Sequence, residues 1–211
     1  RITGMKLAAI AFAVCLMSAA ILCLASRFVE KLRFSRLSLL SLPALAAFTA
    51  VLALRPRSFL LADVIILAAA VFAGSLLGSV LRGYSGAASF LVAAAIADVV
   101  SSVSGATARL SRAFRQGGSS LLRYLGIALP LEGRVVLIIG VADLMILAAV
   151  YFVLRRLGKS GPWMFIAPLI GLLLAVVAGL VFGGMAAIPF IAAATLAYLW
   201  VVSGKRRGGS A

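Results

Sequence analysis

The 211 residues are 64% hydrophobic and only 12% charged, far more apolar than a soluble domain of this length, which runs near half apolar. The net charge of +15 comes from Lys and Arg in short clusters between apolar runs, a placement that argues against nucleic acid and for anchoring at membrane surfaces. Histidine is absent, which excludes zinc or haem sites built on it, and neither cofactor nor metal is expected.

A bilayer demands helices of about 20 apolar residues or a closed barrel, because no water is present there to satisfy backbone groups. Long Ala, Leu and Val runs favour helices. In chain order the runs cover Met5 to Ser26, Leu37 to Leu54, Phe59 to Leu81, Ala87 to Val103, Val135 to Leu154, Trp163 to Phe182 and Ala186 to Val202. The prediction is an all-α, polytopic transmembrane helical bundle of about seven spans, forming a single domain over residues 1–211, with membrane lipids as its surroundings. The fourth and seventh runs are short and rich in small residues, so partial unwinding is expected there.

Between the runs lie a basic loop (Arg27, Lys31, Arg33, Arg36), a tight turn (Arg55, Pro56, Arg57), a turn bearing Gly83 and Gly86, and one long connection from Ser104 to Arg134. That connection carries Arg109, Arg112, Arg115, Arg123 and Arg134, and a partly amphipathic piece from Leu121 to Leu129. With strict alternation, Lys and Arg number nine on the long-loop side and eleven on the other, so the positive-inside rule leaves the orientation open.

Gly74 and Gly78 in the third run, and Gly179 and Gly183 around the end of the sixth, have the spacing that lets helix backbones approach closely. Tyr151, Trp163 and Trp200 sit near run ends, as interfacial aromatics do. Cys15 and Cys23 share one run and read as small hydrophobes.

Only five acidic residues occur, and three of them, Asp63, Asp98 and Asp143, fall inside apolar runs. A central Asp costs roughly 2.5 to 3.5 kcal/mol on insertion scales, so each is a functional candidate by default. Asp63 is close to Arg55 and Arg57, and an interfacial ion pair accounts for it. Asp98 lies shortly before the long connection and Asp143 shortly after it, which puts them about 8 and 12 Å below the same face at the helical rise. At such depths they can meet. Two carboxylates that meet in a low-dielectric site share a proton, so that one acts as acid while the other deprotonates water. The alternative is that each acid separately bonds to hydroxyl or backbone groups for packing.

Gly140-Val141-Ala142-Asp143, following a helix that itself carries an Asp near its end, resembles the Gly-x-Gly-Asp motif of the presenilin and signal peptide peptidase family. Ala187-Ile188-Pro189-Phe190 and the small-residue stretch to Tyr198 resemble the Pro-containing motif of that family's last helix, particularly in its archaeal members. The resemblance covers residues 87–202. It implies a presenilin-like fold and an intramembrane aspartyl protease with Asp98 and Asp143 as the catalytic pair. Gly140, Val141, Ala142, Ile188, Pro189 and Phe190 would then line the site or dock substrate. The implied partners are transmembrane peptide substrates, leftover signal peptides among them, and the implied location is the plasma membrane of a prokaryote. Family members have nine helices, with the acids on the sixth and seventh; here they fall on the fourth and fifth, as loss of two N-terminal helices would produce. Ala97 stands where the family usually has Tyr, and Ala142 replaces the motif's second Gly, so an inactive scaffold is an alternative to a protease.

A second class of function is a proton- or cation-coupled transporter. Ala62-Asp63-Val64, Ala97-Asp98-Val99 and Ala142-Asp143-Leu144 are similar strings, and transporters often contain repeats with midplane acids. Their unequal spacing marks them instead as a product of an Ala- and Val-rich chain.

Overall fold

The computed structural model describes residues 4–32, 34–54, 58–105, 124–131, 134–158, 161–182 and 186–207. Within them are seven helices: α1 (Gly4–Val29), α2 (Phe34–Leu54), α3 (Phe59–Val80), α4 (Gly83–Val103), α5 (Val141–Arg156), α6 (Pro162–Phe182) and α7 (Ile188–Arg207). Strands β1 (Gly126–Leu131) and β2 (Arg134–Gly140) form an antiparallel hairpin ahead of α5. Five helices, α1 to α4 and α6, are long and apolar enough to cross a bilayer, and α7 holds a shorter apolar stretch over Ile188–Val202. The protein is an integral membrane protein built as a helical bundle.

Helix α5 is its centre. Every residue from Ile146 to Leu154 is buried, the pattern of a helix apolar on all sides and enclosed by neighbours. Helices α1, α3, α6 and α7 all touch it. The closest approach is to α3, where Gly74 and Gly78 do what their spacing predicts. A Cβ on Gly74 would run into the Met145 carbonyl and lie 2.7 Å from the Ala148 Cβ, and one on Gly78 would lie 2.9 Å from the Ala149 carbonyl oxygen. The other predicted pair behaves differently. A Cβ on Gly179 would meet nothing within 4 Å, and Gly183 lies outside the described residues. Gly171 carries the α6–α7 contact instead, since its Cβ would strike the Phe190 carbonyl and come within 2.6 Å of the Ile191 Cα. Helices α2 and α4 sit on the outside, against α3 and α7 respectively, with much of their apolar surface exposed.

Two basic side chains fasten the far end of α5. Arg155 donates to Ser26 Oγ at 2.8 Å and to the Cys23 carbonyl at 3.2 Å on α1, while Arg156 donates to the Ser79 carbonyl at 2.6 Å on α3. Carbonyls in the last turns of a helix attract cations, so α1, α3 and α5 end together on one face. Tyr151 belongs to this core rather than to an interface. It is fully buried, donates to the Phe165 carbonyl at 3.3 Å and stacks on that ring. Trp163 and Trp200 are exposed, as expected of interfacial aromatics.

The main departure from the sequence reading is the fifth run. A helix from Val135 is predicted, but residues 134–140 are strand β2 and α5 begins only at Val141. A continuous apolar run has no period that separates a buried strand from a buried helix. Here Val135, Val136, Ile138 and Ile139 favour extended backbone, and β1 pairs with them as an antiparallel partner. The amphipathic piece predicted over Leu121 to Leu129 correspondingly contributes Gly126 to Leu129 to β1, paired Gly126 to Gly140 and Leu129 to Val136. Glycine at 126 permits the close approach, because a Cβ there would collide with the Ile139 carbonyl. The unwinding expected in the fourth and seventh runs is not found, as α4 and α7 are continuous. The arginines between Arg109 and Arg123, and Arg55 and Arg57 beside Asp63, lie outside the described residues.

Candidate active site

The hairpin delivers Asp143 to its position. Strand β2 ends at Gly140, whose backbone is still extended (φ −71°, ψ 150°), and the chain turns into α5 at the next residue. Asp143 is therefore in the first turn of its helix, not two turns inside it as a start at Val135 would require. The first N–H groups of a helix have no partner within it, and here two nearby ones are met. The Gly140 N–H donates to Asp143 Oδ2 at 3.2 Å, which is the carboxylate half of a capping box, and the Val141 N–H donates to the Leu125 carbonyl at 2.7 Å beside β1. A Cβ on residue 140 would lie 3.0 Å from that same carboxylate oxygen, so a side chain there would crowd the bond that orients Asp143.

Asp98 is five residues before the end of α4 and is oriented by α7. The Ile188 N–H donates to Asp98 Oδ2 at 3.1 Å. Phe190 and Ile191 both donate to the Ala187 carbonyl, and Pro189 has no N–H to give. The Ile188 N–H is left pointing out of the first turn of α7, where a carboxylate from a neighbouring helix takes it. The positive end of the α7 dipole adds to this preference for an anion.

The two acids, from α4 and α5, are near enough for their charges to act on one another. The structure pairs Asp143 with Gly140 and Asp98 with Ile188. Each carboxylate is partly buried and held by a backbone N–H, that of Asp143 from three residues earlier in its own segment and that of Asp98 from the start of α7. Among the other predicted residues, Val141, Pro189 and Phe190 are partly buried around the site, whereas Ala142 is exposed, as is Ala97 next to Asp98. The methyl group of Ala142 therefore does not press on the bundle. Asp63 is partly buried near the start of α3.

Two contributors were not anticipated from sequence. Cys15, fully buried in α1, lies within electrostatic reach of Asp143, and the Leu125 carbonyl ties the start of α5 to the hairpin. Neither leaves a local signal, because each acts through a partner on a distant segment. No protein-family model, curated protein or solved structure matches the chain.

Proposed function

We propose that the protein is an intramembrane aspartyl protease of the presenilin and signal peptide peptidase type, with all seven helices crossing the membrane and Asp98 and Asp143 sharing a catalytic water. The carrying observation is a pair of carboxylates on different helices, within electrostatic reach of one another and each oriented by a backbone N–H. In this reading the two carboxylates approach in apolar surroundings and hold one proton between them. The ionised acid takes a proton from water as that water attacks the scissile carbonyl. The protonated acid donates to the carbonyl oxygen, and proton return to the amine completes cleavage. Each backbone bond engages one oxygen of its carboxylate, and the reaction needs the other oxygen of each on the water.

The hairpin supports the same reading. A peptide must be extended to be hydrolysed, and a transmembrane helix hides its carbonyls in its own hydrogen bonds. A two-stranded sheet leaves unpaired backbone groups along its edges, to which an extended segment can add as a further strand. Strand β2 runs directly into the turn that carries Asp143, so a segment added along it would reach the acids.

The test is cleavage of a reporter transmembrane peptide by the purified protein in lipid, wild type against Asp98→Asn and Asp143→Asn. Loss of cleavage in both variants with the thermal midpoint retained is the expected outcome. Retained cleavage in both would sink the proposal. Acid-dependent proton uptake into proteoliposomes without proteolysis would point to a transporter, and a folded wild type that neither cuts nor transports would point to a scaffold.

A further inference from the structure

Helix α4 carries one of the two acids, and it is fastened unevenly along its length. It follows a link in which Leu81 and Arg82 are extended and Gly83 takes φ 68°, a left-handed conformation that glycine adopts without strain. A Cβ on Gly83 or Gly86 would meet nothing within 4 Å, so no neighbour wedges this end in place. The two buried residues of α4, Ala87 and Leu91, lie in its first half, facing α5 and α7. From Val92 to Val103 no residue is buried, and Val92, Ile96, Val99, Val100 and Val103 are exposed. Segments with few buried apolar contacts are the ones that open locally at low cost.

Asp98 belongs to that second half, whereas the groups it works with are fixed. The Ile188 N–H that donates to Asp98 Oδ2 at 3.1 Å is at the start of α7. Ile188 and Ile191 are buried there, and the backbone of Phe190 and Ile191 approaches Gly171 of α6 too closely to admit a side chain at residue 171. Asp143 is held by the Gly140 N–H at the start of α5, the enclosed helix. One acid is therefore anchored in the bundle, while the other rides on a half-helix that burial does not hold.

We infer that the second half of α4 is a movable arm latched by the Asp98–Ile188 hydrogen bond, which tilts about its buried first half and withdraws Asp98 from Asp143 when that bond is released. The bond that orients the acid is then also the bond that closes the arm. That the motion switches catalysis rests on the protease reading; the motion itself does not.

The experiment is pulsed dipolar electron paramagnetic resonance on the full chain in lipid nanodiscs, with Cys15 and Cys23 replaced by alanine and no peptide present. One spin label is placed at Met17→Cys, exposed on α1, and the other at Val99→Cys on the arm or at Ser85→Cys in the first half of α4, both exposed. With the latch intact, each pair should give one narrow distance distribution. Asp98→Ala and Ile188→Pro each remove the latch. A hydrogen bond to a charged group is worth about tenfold or more in an equilibrium, so each variant should shift the closed-to-open ratio by about that factor. The Met17–Val99 pair should gain a second population while the Met17–Ser85 pair is unchanged. Asp98→Asn keeps an acceptor for the Ile188 N–H and should remain mostly closed. An unchanged Met17–Val99 distribution in either latch variant would overturn the proposal, as would a distribution already as broad with the latch intact. An equal change in the Met17–Ser85 pair would mean that the whole helix is displaced, and an Asp98→Asn arm as open as that of Asp98→Ala would mean that charge rather than the hydrogen bond holds it; either result also overturns it. Since no substrate is present, failure here leaves the protease reading to its own cleavage test, and failure of that test leaves the arm standing.

Discussion

The backbone N–H of Ile188 donates to Asp98 Oδ2 at 3.1 Å, so the start of α7 and the end of α4 are held together by one of the two candidate catalytic acids. The bond explains why a proline follows immediately. Pro189 removes the next N–H and fixes a φ suited to a first helical turn, which makes Ile188 the donor that faces Asp98. A segment that looks like a simple helix start is then part of the site.

Ile188→Pro removes that donor while remaining compatible with a first helical turn. Hydrogen bonds to charged groups contribute about 1.5 to 3 kcal/mol. Cleavage of a reporter peptide is expected to fall at least tenfold with the helix content by circular dichroism unchanged. Ile188→Val, which keeps the N–H, should stay close to wild type in the same assay.

Asp98→Asn and Asp143→Asn keep an oxygen that can accept the Ile188 and Gly140 bonds but cannot exchange a proton at neutral pH. General acid and base groups contribute about 100- to 10,000-fold to rate. Turnover should fall by at least the lower of these factors in each variant. The double variant should be little worse than either single one, since the acids act as a unit. Initial rates on a fluorogenic transmembrane peptide would decide it.

Gly140→Ala places a methyl group about 3.0 Å from Asp143 Oδ2. Activity should drop severalfold with little loss of stability, because the carboxylate must shift to make room. Ala142→Gly should behave differently. Residue 142 is exposed and presses on nothing in the chain, so its main effect should be on the helix, about 1 kcal/mol or less. Thermal unfolding and cleavage measured side by side on both variants check this.

Gly74→Val and Gly179→Ala separate two glycines that look alike in sequence. Overpacking a tight contact costs about 1 to 3 kcal/mol, so Gly74→Val, set against the Met145 carbonyl and Ala148, should lower the thermal midpoint clearly. Gly179→Ala meets open space and should leave the midpoint unchanged or raise it. Differential scanning fluorimetry in detergent is sufficient.

Arg155→Lys keeps the charge but loses the planar fork that reaches both Ser26 Oγ and the Cys23 carbonyl. A stability loss of about 1 to 2 kcal/mol is expected, together with faster alkylation of Cys23, which is buried against the same guanidinium. Arg156→Lys, which has one carbonyl partner on α3, should be milder by the same thermal and alkylation measurements.

Composition alone determined the class of the protein. Long apolar runs without water-soluble faces leave a helical membrane bundle as the solution, and the acids stand out because charge in such runs is costly. The Gly74 and Gly78 contact was legible too, since its requirement is local to one helix face. Three matters were decided only by tertiary structure. Residues 134–140 became a strand because β1 offered a partner, and a run of Val and Ile carries no period to announce that choice. Tyr151 became a core residue because α6 covers it with Phe165, although its place near a run end reads as interfacial. The acids, whose shared depth is readable from the helical rise, are oriented by backbone N–H groups of Gly140 and Ile188. A backbone donor has no residue type to mark it, so its role exists only once the chain has folded.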